Sequence, residues 1–109
     1  RQVILCERGV RTFADHARST LDLSIVPVVK HRSHLPVIVD PSHGTGRARY
    51  VPAMSRAALA AGADGIMIEV HPDPSKALSD GQQSLDFRAF QDLYGSLKSL
   101  AAALGVQVF

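Results

Sequence analysis

A chain of 109 residues is at most one domain. Its hydrophobic content of 46% supports a packed core and excludes a disordered chain, while a net charge of +2 with scattered lysines and arginines argues against a nucleic-acid surface. The single cysteine, Cys6, excludes an internal disulfide and suits a reducing compartment such as the cytoplasm, and no apolar run approaches the roughly 20 residues that span a bilayer.

The sequence opens on Arg1 rather than an initiator Met, with no signal-peptide pattern, and is at once in an apolar run; it reads as starting inside something larger. Residues 3–6 are predicted as a first buried strand, with Glu7-Arg8-Gly9 at its C-terminal end. Alternation places Ile4, Cys6 and Arg8 on one face. Arg8 reads either as a surface arginine in a loop or as an anion ligand at a strand end, and the residues alone leave both open. Residues 10–23 form a polar connection, expected to be pinned to the core by Phe13, Leu21 and Leu23. A short helix is predicted over residues 24–32, with Ser24 as N-cap and Pro27 in the first turn. His31 and His34 lie near its end and carry no assigned role.

The second strand, residues 37–40, belongs to the segment Pro36-Val37-Ile38-Val39-Asp40-Pro41-Ser42-His43. A β-branched run without alternation is the signature of a parallel strand buried on both faces, and Pro41 ends it. Chemistry in α/β folds gathers just beyond the C-terminal ends of such strands, where His43 stands. The glycines that follow let the backbone approach a ligand. A helix over residues 49–61 comes next, with Pro52 in its first turn, a run of alanines, and Gly62 as its stop. Arg47 and Arg49 oppose that helix dipole by about 0.3–1 kcal/mol each. They are either solvated or gather an anion at the helix start.

A third strand is predicted over residues 66–70, where Glu69 interrupts an apolar run. A carboxylate inside a buried strand requires a partner or a metal ion. His71 is read as structural or supporting rather than as a ligand. Residues 75–84 form a loop with a helical turn at 76–78, and Ser79-Asp80-Gly81 is an ordinary turn triplet. The last helix shows the clearest periodicity, with Phe90, Leu93, Tyr94, Leu97, Leu100, Ala101 and Leu104 on one stripe. Ser84 or Asp86 caps it and Gly105 stops it.

Three strand–loop–helix units without a hairpin signal imply an α/β fold with a parallel sheet and right-handed crossovers. Two open edges make such a sheet a poor free-standing domain, so it is either part of a closed barrel or pairs its edges with other chains. Arg8, His43 and Glu69 each stand at a strand end, and Asp80 follows on a loop from the same face. One imidazole with two carboxylates suits a divalent transition metal.

The segments Ile4 to Phe13, Leu35 to His43, Ile68 to Pro74 and Lys76 to Leu85 resemble 3-deoxy-D-arabino-heptulosonate 7-phosphate (DAHP) synthases, of the subgroup close to 3-deoxy-D-manno-octulosonate 8-phosphate synthase. The resemblance implies that residues 1–109 are the last three βα units, strands six to eight, of a (β/α)8 TIM barrel. It implies condensation of phosphoenolpyruvate with erythrose 4-phosphate, the entry step of the shikimate pathway and of aromatic amino-acid biosynthesis. The family's metal ligands fall on His43, Glu69 and Asp80, with Mn, Fe, Co or Zn as the ion. Its phosphoenolpyruvate-binding arginine falls on Arg8, and His43 also reaches that substrate. The family's fourth ligand is a cysteine on strand one, outside this sequence, and Cys6, inside strand six, does not replace it. Ala48-Arg49 stands where the family has Arg-Asp, so no role is carried to Arg47 or Arg49. Two other readings are the octulosonate synthase sibling and a non-catalytic fragment that self-associates or pairs with the missing barrel half.

Overall fold

The computed structural model describes residues 2–109. Its sheet has three parallel strands in sequence order, β1 (Leu5–Glu7), β2 (Val37–Val39) and β3 (Gly65–Ile66). Helix α1 (Ile25–Arg32) joins the first pair, and a short α2 (Pro41–Thr45), a 3-10 turn (Ala48–Tyr50) and α3 (Val51–Ala60) join the second. Helix α4 (Phe87–Leu104) closes the chain against α3.

The β-branched run of β2 makes it the central strand. Val37 and Val39 are fully covered, together with Val26 of α1 and Ala58 of α3. A second cluster joins Val51 of α3 to Leu85 and to Leu93 and Leu97 of α4, and Ile66 packs against both clusters. Leu21 and Leu23 pin the first connection to the core as expected. Phe13 does not: it is fully exposed at the tip of a lobe closed by an antiparallel bridge between Val10 and Thr20. That bridge is the one departure from parallel pairing among the described residues. The lobe is possible because Gly9 takes φ +94°, and a Cβ there would lie 2.8 Å from the Cβ of Ser19.

Other boundaries shift for local reasons. The glycine-containing stretch after Pro41 is a turn of helix, not a loop, because the Asp40 side chain caps it and Gly46 ends it in the left-handed region. The predicted strand over residues 66–70 forms a ladder only at Gly65–Ile66; beyond it the chain stays extended and Val70 bridges Leu85. The helical turn near residue 76 falls at Pro74–Lys76. In α4 the Asp86 carboxylate accepts from the Ala89 amide at 2.7 Å, and Gly105 ends the helix with φ 70°. Leu93, Leu97 and Ala101 of its stripe are buried, whereas Phe90 and Leu104 stay partly exposed.

The N-terminal ends of β2 and β3 are clamped by one side chain. The Asp64 carboxylate accepts from the Val37 amide at 2.9 Å and from Lys30 Nζ at 2.5 Å, while its own amide donates to the Val37 carbonyl at 2.8 Å. The Lys30 bond, and then the Val37 amide, hold the Asp64 carboxyl below its usual value. A depressed carboxylate stabilises the fold above the unfolded-state value, about 3.9, and loses that contribution as pH falls through the folded-state value. Asp64→Asn is therefore expected to lower stability at pH 7 by about 0.5–1 kcal/mol, the modest end being set by solvent screening of the pair. Urea denaturation at pH 7 and at successively lower pH checks this: the gap between the two proteins closes only below about pH 4.

Candidate metal centre

The site is built where three parallel strands end. Beyond β2, the backbone amide of Asp40 donates to the Glu7 carbonyl of β1, and the Met67 amide donates to the Val39 carbonyl. These bonds hold the three exits level, so residues leaving each strand face one another. Pro41 cannot extend the ladder, and α2 turns His43 back over the strand end.

Asp40 is the fully buried carboxylate of this end, with no exposed side-chain surface. Its Oδ1 accepts from the His43 amide at 2.9 Å, and its Oδ2 takes the His43 Nδ1 at 2.7 Å. The same Oδ2 lies 3.3 Å from Arg8 Nε. An ionised carboxylate only accepts, so His43 Nδ1 carries the proton and its Nε2 keeps a lone pair.

That lone pair faces two further carboxylates, Glu69 Oε1 at 3.5 Å and Asp80 Oδ2 at 3.6 Å. Both separations exceed ordinary hydrogen bonds. All three ligand atoms lie within 4.8 Å of one another. Four ligands at roughly 2.1 Å from one ion are about 3.4 Å apart in a tetrahedral arrangement, so the donor set and its spacing fit a divalent transition metal.

Each ligand is fixed by backbone geometry. The buried Ser42 hydroxyl accepts from the Glu69 amide at 3.0 Å, tying the third strand exit to α2. The Leu85 amide donates to the Glu69 carbonyl, and the His71 amide donates to the Leu85 carbonyl, so residues 80–85 run alongside residues 69–71. Asp80 has φ 56°, a left-handed conformation that Asp tolerates better than most residues, and its carbonyl accepts from the Ser84 amide and hydroxyl.

The structure thus brings His43, Glu69 and Asp80 together and sets Arg8 beside them through Asp40. One premise is overturned. Glu69 was expected to be a carboxylate inside a buried strand, yet its side chain is 41% exposed and lies beyond the ladder. The buried charge is Asp40, whose weight the sequence reading missed; its signal is the spacing Asp40-Pro41-Ser42-His43, which lets one carboxylate reach both the amide and the ring three residues on. His71 is structural, its Nδ1 accepting from the Asp73 amide at 2.9 Å. Cys6 is outside the cluster, and partial burial, followed by repulsion from Asp40, raises its thiol above the usual value. Arg49 is engaged by Tyr50, through a 2.7 Å bond to the hydroxyl and stacking on the ring. Arg47 lines a cleft of about 440 Å³ whose acids and bases, Asp15, Asp80, Arg18 and Arg47 itself, balance.

The profile of the DAHP synthetase I family matches residues 1–104. The chain belongs to the DAHP synthetase I family. Within curated proteins it is 59% identical over 107 residues to the phospho-2-dehydro-3-deoxyheptonate aldolase of Thermotoga maritima, a match covering 98% of this chain and 32% of that protein. It is 35% identical over 112 residues to the 2-dehydro-3-deoxyphosphooctonate aldolase of Desulfosudis oleivorans, covering 93% and 39% respectively. The crystal structure of the Thermotoga maritima DAHP synthase superposes with a TM-score of 0.96 over 97% of this chain and 31% of that one. A truncated form of the same enzyme gives the same TM-score, with 40% of its chain covered. This member of the DAHP synthetase I family, as given, spans about a third of the length of the relatives it matches.

Removing the Ser42 hydroxyl leaves the Glu69 amide without its acceptor in a covered position. Ser42→Ala is expected to destabilise the protein by about 1–3 kcal/mol and to loosen Glu69. Thermal unfolding, read together with metal content, checks it.

Proposed function

We propose that residues 1–109 supply strands six to eight of a (β/α)8 barrel, as the C-terminal part of the catalytic domain of a DAHP synthase. The enzyme condenses phosphoenolpyruvate with erythrose 4-phosphate. The observation that carries this reading is the convergence of His43, Glu69 and Asp80, from three separate stretches of chain, on one ion-sized space. The 59% identity to a heptonate aldolase, against 35% to an octonate aldolase, favours the heptulosonate product over the octulosonate one.

In this reading His43, Glu69 and Asp80 hold a divalent Mn, Fe, Co or Zn ion. When bound, the ion supplies Lewis acidity toward the aldehyde oxygen or toward water. Glu69 and Asp80 contribute negative charge that His43 alone lacks. Arg8, 53% exposed with its Nε turned to Asp40, offers the outer edge of its guanidinium to the anionic groups of phosphoenolpyruvate. The His43 ring, between the ligand cluster and Arg8, lines the space where that substrate meets the ion.

The remaining ligand and the other substrate-binding residues come from the earlier strands of the barrel. Those strands also cover the outer edge of β1, where Val3, Ile4 and Leu5 are exposed. We assign the enzyme to the cytoplasm, as a homo-oligomer or an assembly that closes the sheet; no helix among the described residues is long and apolar enough to cross a membrane.

In the full-length protein, His43→Ala is expected to abolish tight binding of one divalent ion per chain and to lower kcat by at least about 10³-fold, since the Lewis acid and a ligand are lost together. Metal analysis and product formation from the two substrates check both. Full activity and metal content in His43→Ala overturn the reading. Residues 1–109 alone are expected to show no turnover.

A further inference from the structure

We propose that Asp40 is a positioning residue for both halves of the site, its one buried carboxylate setting the direction of the His43 imidazole and of the Arg8 guanidinium. The inference rests on the metal-centre reading above. Asp40 has no exposed side-chain surface, and its two oxygens meet three donors: the His43 amide, His43 Nδ1 and Arg8 Nε. Cap formation needs only Oδ1. Oδ2 is free for a second task, and both groups it touches point onward into the site.

The consequence for His43 is a fixed tautomer. With Nδ1–H donated to Asp40, Nε2 presents its lone pair toward Glu69 and Asp80, and a carboxylate behind an imidazole raises its basicity toward a metal. The consequence for Arg8 is a fixed plane. Its long side chain is more than half exposed, and Asp40 is its one charged partner among the described residues. Held through Nε, the guanidinium directs its two terminal nitrogens outward, which is the arrangement that grips an anion in a bidentate way.

Asn at this position separates the two tasks. Its amide oxygen caps α2 as well as Asp does. Its amide nitrogen only donates, so it opposes Nδ1–H and Arg8 Nε and favours the His43 tautomer that carries its proton on Nε2. That tautomer has no lone pair for the ion.

The experiment compares the full-length wild type with Asp40→Asn and with Asp40→Ser, a smaller residue that also caps helices. Co(II) is the probe, its affinity measured by chelator competition and its ligand field by visible absorption. Both variants are expected to bind Co(II) about 10–100-fold more weakly with an altered spectrum. KM for phosphoenolpyruvate rises about tenfold or more, while KM for the aldose phosphate stays within about twofold, because only the former faces Arg8. Unchanged Co(II) affinity and phosphoenolpyruvate KM in both variants overturn the proposal, as does a fall in kcat alone. His43→Ala separates the two levels. If it loses Co(II) while the Asp40 variants do not, the metal centre stands and the role of Asp40 falls. If it binds Co(II) like the wild type, the metal centre falls and this inference with it.

Discussion

A charge with no exposed surface must be surrounded by donors, and Asp40 is such a charge at the top of the central strand. Its position dictates much of what surrounds it. The strand has to stop there, α2 has to begin there so that the His43 amide can donate, and a cation has to approach from β1, which Arg8 does. The apolar run of β2 anchors the arrangement from below, with Val37 and Val39 fully covered by α1 and α3. A buried carboxylate left with fewer donors would oppose folding by several kcal/mol. The local structure is therefore over-determined, and the ring of His43 inherits that rigidity.

Glu69 and Asp80 are held differently. Both are partly exposed, and neither forms an ion pair with lysine or arginine among the described residues. Their closest partner of opposite potential charge is His43, whose proton is already committed to Asp40 on the other side of the ring. Two carboxylates and a lone pair directed at one space form a cluster of acceptors with no donor among them. Their backbones are pinned by Ser42 and by the Val70–Leu85 bridge, which keeps them from separating. An arrangement of acceptors held together by its scaffold is completed by a cation.

What the sequence made legible follows from period and punctuation. Three apolar runs bounded by proline or glycine indicated parallel strands, and residues just past their ends indicated Arg8, His43 and Glu69. The length of β3 was not legible. Ile66 to Val70 carries the composition of a strand, but pairing needs a neighbour, and β2 has already turned into α2 at Pro41. Glu69 was chosen for burial that it does not have, while Asp40, beside a proline at a strand end, resembled an ordinary boundary residue. Its burial is a tertiary fact, created by Arg8 and α2 closing over it. Phe13 failed for a related reason: an aromatic residue signals burial only if something covers it, and the lobe that carries it reaches beyond the three strands.

That lobe, the apolar outer edge of β1 and the incomplete ligand set point the same way. Each is a surface whose chemistry is unfinished: hydrophobic side chains in water, strand amides without acceptors, three metal ligands where a structural or catalytic ion takes four or more. In the proposed barrel a preceding strand answers the first two by pairing with β1, and a residue from an earlier strand end answers the third. The same sheet closure would bring further cations toward Arg8, whose outward edge alone offsets only part of the charge on a phosphorylated enol carboxylate. Fold completion and site completion are then one event. What residues 1–109 provide in advance is direction, since the imidazole and the guanidinium are already aimed by a carboxylate that water does not reach.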